Sequence, residues 1–374
     1  MNAKVKKLEL QSKIVIFLKN CKFKMSGLKQ YQLRNENKKL IKDSPIDSLQ
    51  KKQLYYLNSY GKRYDEYIKE YIQCDLRIEK KIEIPSQKDN PIVICVVKND
   101  LMRIKLFLKY YRNLGVKQFV FLDDHSTDGT KEHLVEQDDV MVFATDKNYT
   151  TIRRQVWINK IIAILGYNRW YLILDSDELF DYARSESVDL RSFVLGLEKK
   201  GQKCVKTLLL DMFSRNSLFA DNVKNEDDII EVCNMFCPKY RFVKNAFDVS
   251  IKGGAREVMF KQINSKASPV VSKYPLIYME EDDIAINSHH LLPINKNYPI
   301  HASTVLRHYK FLPEDRRKYE ERAAAGNFHN NSKEYITYLE MEKSSDYEKV
   351  IEQMMVYDSF ESVCGLDVMN GEIL

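Results

Sequence analysis

The chain is poor in the residues that loosen or break a backbone, with 12 Gly and 9 Pro among 374 residues. That scarcity excludes long flexible linkers and low-complexity sequence. No run of about 18 apolar residues occurs, so no membrane span is expected. The stretch "KIVIFLKNCKF" is too short and too interrupted for a signal peptide. The G-x-x-x-x-G-K-S/T loop is absent, which removes the P-loop route to phosphate chemistry. The seven Cys include no C-x-x-C. Cys233 and Cys237 have neither a second pair nor a nearby His to complete a zinc site. Free thiols in a reducing cytoplasm are the reading.

What is present is a soluble, globular composition, 44% hydrophobic and 30% charged, in a chain long enough for a large core. The net charge of +6 is uneven. Residues 1–42 hold twelve Lys/Arg and two Glu, a net of +10, so the remainder is mildly acidic at −4. A basic arm on an acidic body suits an anionic partner such as lipid headgroups, although a solvated basic helix accounts for it more simply. No nucleic-acid motif accompanies the charge, so nucleic acid is not expected. The expected location is the cytoplasm, at the inner face of the plasma membrane if the arm binds lipid.

Three regions follow from the pattern. Residues 1–85 read as basic and helical, with Ser44-Pro45 opening a helix. From Pro91 strand and helix alternate. "IVICVVK" (92–98), "QFVFLDD" (118–124), "VMVFAT" (140–145) and "WYLILDSDE" read as buried strands, and 101–115 and 151–166 as helices. Ser126 or Thr127 is the expected cap of a helix after the second strand. "CVKTLLLDMF" (204–213) is expected to add a strand to the same sheet. Such alternation means βαβ units and a parallel sheet, an α/β fold, with ligands at the carboxyl ends of the strands. Residues 90–312 form the expected core domain and 313–374 a helical C-terminal region.

Two constellations fall at those strand ends. In "LDSDELF", Asp175 and Asp177 lie on one side of an extended segment, offering hard oxygen ligands for Mg²⁺ or Mn²⁺. In "FLDDHSTDGT", Asp123 and Asp124 can accept hydrogen bonds from a base or ribose.

Together, "CVVKNDLMRIKLFLKYYRNLGVKQFVFLDDHSTDGTKEHL" and the later "ILDSDELF" resemble the nucleotide-sugar domain of glycosyltransferase family 2. The closest pattern is the bacterial subgroup with N-E, D-x-x-S-x-D-G-T and D-x-D-E motifs. "LLLDMFS" (208–214), "GGAREVMF" (253–260), "SKYPLIYME" (272–280), "SHHLLP" (288–293) and "LRHYKFLPEDRRKYEERAAAGNFHNNSKEYITYL" (306–339) resemble its later motifs in order. Asp100 stands where that pattern has Glu, and the basic arm has no counterpart.

The resemblance implies a GT-A fold: a Rossmann-like, mostly parallel nucleotide-sugar-binding sheet with helical N- and C-terminal additions. It further implies a nucleotide-diphosphate sugar donor, a UDP-sugar first, a divalent metal, and transfer with inversion to the hydroxyl of a glycan or lipid-linked glycan acceptor. That is the chemistry of bacterial surface polysaccharide synthesis. Val96, Asn99 and Asp123 would line the base and ribose pocket. Asp175 would approach ribose or metal, Asp177 would be the main metal ligand, and His308 would reach back to metal or diphosphate. Lys310 and one of Arg153 and Arg154, Arg153 first, would meet phosphate. Asp211, ending an apolar strand beside the cleft, is the expected general base, with Glu178 and Glu257 in reserve. Arg256 would orient acceptor or diphosphate, Gly253 and Gly254 letting backbone come close; His289 and His290 would line the acceptor side. Two other readings remain: a nucleotidyl- or phosphotransferase with the same metal–diphosphate geometry, and a non-catalytic glycan-binding module.

Overall fold

The computed structural model describes residues 35–59, 61–86, 88–244, 249–262, 268–287, 290–292, 299–325, 332–343 and 346–370. At its centre lies a six-stranded sheet. One edge is β1 (Arg77–Lys80), and the middle is β2 (Ile92–Val97), β3 (Phe119–Asp123), β4 (Val140–Ala144) and β5 (Arg169–Leu174). The order is β1-β4-β3-β2-β5, closed by the segment Leu276–Met279. β2 to β5 run parallel, and both edge segments are antiparallel to their neighbours. This is a mixed α/β fold with a mostly parallel central sheet.

The continuous apolar strands follow from burial on both faces. Successive side chains alternate between two cores. Val93, Cys95, Phe119 and Phe121 pack with Ile104 and Phe107 of the helix Leu101–Asn113. Ile92, Ile94, Val120 and Leu122 pack with Trp157, Ile158 and Ile161 of the helix Thr151–Leu165. Each such fully buried side chain contributes about 1.5–3 kcal/mol. β3 and β4 extend the sheet to one side of β2, and β5 to the other. The connections therefore diverge between β2 and β5, and a crevice opens at the carboxyl ends of these two strands.

The segment expected to extend this sheet does not. β7 (Thr207–Asp211) lies in a second, four-stranded sheet of order Ser272–Lys273, β7, Thr304–His308, then β6 (Glu178–Asp181). β7 runs parallel to Thr304–His308, and Leu276–Met279 takes the edge beside β5. A pairing between segments nearly a hundred residues apart leaves no local trace in sequence. The buried Thr207 and Thr304 hydroxyls, 2.6 Å apart, mark its register.

Helices Asn35–Asp43, Ser48–Ser59 and Asp65–Ile72 bury Ile41, Leu54, Leu57 and Ile68 against Val156 of the helix Thr151–Leu165. Ser44 closes the first of these rather than opening the second. Its hydroxyl donates to Ile41 O at 2.6 Å, and Asp47 accepts from Gln50 N at 2.8 Å as the actual cap. Most of the basic arm, residues 1–34, lies outside the described residues. At the other end, helices Asp315–Ala325 and Lys333–Lys343 pack Tyr319, Tyr338 and Met341 onto Phe213 and Phe311. Among the described residues no helix is long and apolar enough to cross a membrane.

Candidate active site

Beyond the end of β2, Asn99 adopts φ 50°, a left-handed backbone that Asn tolerates better than most residues. Its N–H donates to Ser126 Oγ at 2.9 Å, and its Oδ1 accepts from Thr127 N at 2.7 Å. Asp128 Oδ2 accepts from Leu101 N at 3.1 Å. Ser126 and Thr127 thus stitch the second loop to the first instead of capping a helix. The helix Thr130–Glu136 starts after Gly129, at φ 91°, with Asp128 Oδ1 accepting from Thr130 N at 3.0 Å. Asp123, ending β3, accepts from Ser126 N with Oδ2 at 3.2 Å, while its Oδ1 is buried with no hydrogen-bond partner among the described residues. An orphaned buried acceptor costs about 1–3 kcal/mol, and a ligand hydroxyl or amide would satisfy it. Asp124, expected beside it, is instead buried against His125 Nδ1 at 3.1 Å and Lys98 Nζ at 3.9 Å, off the cleft.

The acidic segment is a turn between β5 and β6, not a strand, and this separates its carboxylates. Asp175 Oδ1 accepts from Arg154 at 2.5 Å and Oδ2 from Lys273 at 3.0 Å. Lys273 also pairs with Glu178. Burial opposes the charge on Asp175, but Arg154 and Lys273 hold its carboxyl well below the usual range. Burial pushes Glu178 upward against the pull of Lys273. Asp175, expected as a metal ligand, therefore has both oxygens in ion pairs. Arg153, expected on phosphate, turns to Glu70 Oε1 at 3.0 Å; its neighbour Arg154 reaches the turn.

Asp177 faces the cleft and meets His308, whose Nε2 lies 3.1 Å from Asp177 Oδ2. On the other side His308 Nδ1 lies 2.7 Å from Asp211 Oδ1, and Asp211 Oδ2 accepts from Arg256 Nε at 2.8 Å. Strand register places His308 directly between Asp211 and Glu178. Burial opposes a charge on His308, but Asp177 and Asp211 raise its pKa to about 9. Asp211 is 2% exposed and, despite burial, Arg256 and His308 hold it at about 2. It is not placed as the expected base: both oxygens are engaged and its basicity is low. Arg256, buried and turned to Asp211, is likewise not placed to orient an acceptor. Its glycines serve the chain itself. Gly253, at φ 128°, lets the backbone pass Lys239 O so closely that a Cβ would sit 2.2 Å from it, and the helix Ala255–Gln262 then carries Arg256 inward. Glu257 does not line the cleft and is bound by Arg241, Lys261 and Ser268.

Among the described residues, Asp177, Glu178 and His308 form the group whose ligand atoms lie within 4.8 Å of one another. Two carboxylates and an imidazole are a donor set that Mn²⁺ accepts. The residue types present fit a divalent cation, with Glu178, itself paired with Lys273 and accepting from Asp175 N at 3.2 Å, in Asp175's expected place.

The cleft above this group holds about 220 Å³ and is lined by Val96, Asp175, Asp177 and His308 from the sheets. Its other wall is Lys310, Lys318, Tyr319, Arg322 and Tyr335, from the C-terminal part of the chain. Lys310 pairs with Glu334 at 2.9 Å. Arg103, buried at the base, binds Asp100 at 2.8 Å, Asp315, and Tyr309 O at 2.8 Å. Glu314, with 42% of its side chain exposed, sits 4.0 Å from Arg103, and burial pushes its carboxyl upward. Lys273, Arg103, Glu314, Asp315 and Glu334 were not singled out in the sequence. All five lie within the stretches that carry the resemblance, Arg103 in 95–134, Lys273 in "SKYPLIYME" and the others in 306–339. His289 lies outside the described residues, as does the side chain of His290.

No protein-family model matches the chain, and no curated protein matches it by sequence. Among solved structures, HddC from Yersinia pseudotuberculosis aligns over 61% of this chain and 97% of its own, at 11% identity and a TM-score of 0.31. S. aureus TarS 1–349 aligns over 68% of this chain and 72% of its own, at 13% identity and a TM-score of 0.24. Likenesses of this strength say nothing about activity.

Proposed function

We propose that the protein is a metal-dependent glycosyltransferase that moves a sugar from a nucleotide-diphosphate donor to an acceptor hydroxyl. The observation that carries this reading is the Asp177–Glu178–His308 group at a cleft lined by Val96, beyond the carboxyl ends of β2 and β5, with Asp123 and its orphaned Oδ1 ending the adjacent strand β3. The base and ribose lie along Val96, Asn99 and Asp123, with Asp123 Oδ1 accepting from a ribose hydroxyl or a base amide. Asp177, Glu178 and His308 would hold Mn²⁺ or Mg²⁺, which would supply charge to neutralise the leaving diphosphate. Lys310 and Arg322 bring further positive charge to the same space. The acceptor oxygen attacks the anomeric carbon opposite the diphosphate, and its proton passes to a nearby carboxylate. Glu314, 4.0 Å from the cleft residue Arg103, takes the place of Asp211 for that role, because its side chain is 42% exposed and its basicity is raised rather than suppressed. Arg154 and Lys273 keep Asp175 ionised and fixed, holding the shape of the turn. The family resemblance of residues 90–340 supports the same reaction class and a bacterial surface glycan as its setting.

A panel of nucleotide sugars with Mn²⁺ or with EDTA, followed by release of nucleoside diphosphate, tests the reading. Metal-dependent release from one donor, accelerated by a glycan acceptor, is expected. Pyrophosphate release from a nucleoside triphosphate and a sugar phosphate would assign a nucleotidyltransferase instead. Sugar binding without turnover of any donor would leave a binding module.

A further inference from the structure

Asp211 and Arg256 lie too deep to touch a substrate, yet they end the hydrogen-bonded series that starts at the cleft. Asp177 meets His308 Nε2 at 3.1 Å, His308 Nδ1 meets Asp211 at 2.7 Å, and Asp211 meets Arg256 at 2.8 Å. The series is built from four separate segments: the turn after β5, strand β7, the strand Thr304–His308 parallel to it, and the helix that follows Gly253–Gly254. Opposite His308, the strand register sets Asp211 on one side and Glu178 on the other. Each of Asp211's oxygens has one partner, so the carboxylate has no rotational freedom left.

We propose that Asp211, held by Arg256, is the positioning residue of the cation site. It accepts the Nδ1 proton of His308, fixes the ring's tautomer and plane, and so aims the Nε2 lone pair at the space shared by Asp177 and Glu178. A ring nitrogen that donates to a buried carboxylate presents its other nitrogen as a better-oriented and more basic ligand. This inference rests on the proposed cation site and adds to it a residue that touches neither cation nor substrate. It also explains an apolar strand, "TLLLD", that ends in a buried carboxylate directly beneath the cleft residue His308. A carboxylate there costs desolvation that the Arg256 pair offsets, which a purely structural position could avoid with an apolar side chain.

The test is Mn²⁺ affinity measured by calorimetry on the full chain without substrate, with the thermal midpoint recorded alongside. Asp211→Asn is expected to weaken Mn²⁺ binding about 10–100-fold. In a His308→Ala background the same change is expected to have less than about a threefold effect, because the residue acts through the ring. Arg256→Lys keeps Asp211's countercharge and is expected to fall between wild type and Asp211→Asn; it reads the same quantity should Asp211→Asn fail to fold. Wild-type Mn²⁺ affinity in both Asp211→Asn and Arg256→Lys overturns the proposal. So does an equal loss from Asp211→Asn with and without His308, which would make Asp211 a general support of the fold. A wild-type chain that binds no Mn²⁺ overturns the cation site itself, and this proposal with it, whereas a failure confined to the variants leaves that site standing.

Discussion

The two sheets contribute to the cleft in different ways. The six-stranded sheet offers strand ends, where the loops that carry Asn99 and follow Asp123 are stitched to one another by Ser126, Thr127 and Asp128. The four-stranded sheet offers a buried relay, where His308, Asp211 and Glu178 sit side by side across three strands. The acidic turn joins the two, and its carboxylates divide accordingly. Asp175 is neutralised by two cations of the protein, Arg154 and Lys273. Asp177 pairs with His308 and faces open space. Two aspartates one residue apart thus do different work: one holds the turn, and the other is available for exchange.

The sharpest way to break that division is to neutralise each carboxylate in turn. Asp177→Asn is expected to lower metal-dependent turnover about 10³-fold, the several kcal/mol that a positioned cation supplies. Asp175→Asn is expected to leave Mn²⁺ affinity within about threefold, which calorimetry reads directly. Equal losses from both would return Asp175 to the ligand set. On the stability side, Arg103→Met leaves Asp100 and Asp315 buried without their shared cation and is expected to cost about 3–5 kcal/mol, read as the urea midpoint. Loss of Asp123's orphaned acceptor is a smaller effect. Asp123→Asn is expected to weaken nucleoside-diphosphate binding about tenfold, with kcat little changed.

The smallest effect lies outside the cleft, and it checks that acid sensitivity there is separate from the site. Burial raises the pKa of Glu257, but Lys261, Ser268 and Arg241 outweigh it and hold the group at about 2, well below an ordinary glutamate. A depressed folded-state pKa adds stability that is present above the unfolded value and is lost as pH falls through the folded one. Glu257→Gln is therefore expected to flatten the decline of stability between about pH 4.5 and 2, seen in thermal midpoints across that range.

The strands of the central sheet were legible because burial on both faces writes a continuous apolar run into each of them. Asp123 and Asp177 were legible as acidic residues at the ends of such runs. The four-stranded sheet was not. Its defining pair, β7 with Thr304–His308, joins segments nearly a hundred residues apart, and alternation within either says nothing of the other. Without that pairing Asp211 looked like an unemployed carboxylate beside a cleft and was assigned to proton abstraction. With it, Asp211 lies under His308. Asp175 was misplaced for a related reason. The period-two rule holds within a strand, but residues 175–177 turn, and Lys273 arrives from a distant edge segment to take the space between Asp175 and Glu178.

The central claim is that a divalent cation at Asp177, Glu178 and His308 joins the protein to a nucleoside diphosphate. Calorimetric titration of the full chain with UDP and GDP, each in Mn²⁺ and in EDTA, tests it most directly. The account predicts binding of one of them at least about tenfold tighter with Mn²⁺, and loss of that gain in Asp177→Asn. Equal affinity in Mn²⁺ and EDTA, or a gain that survives Asp177→Asn, would contradict it.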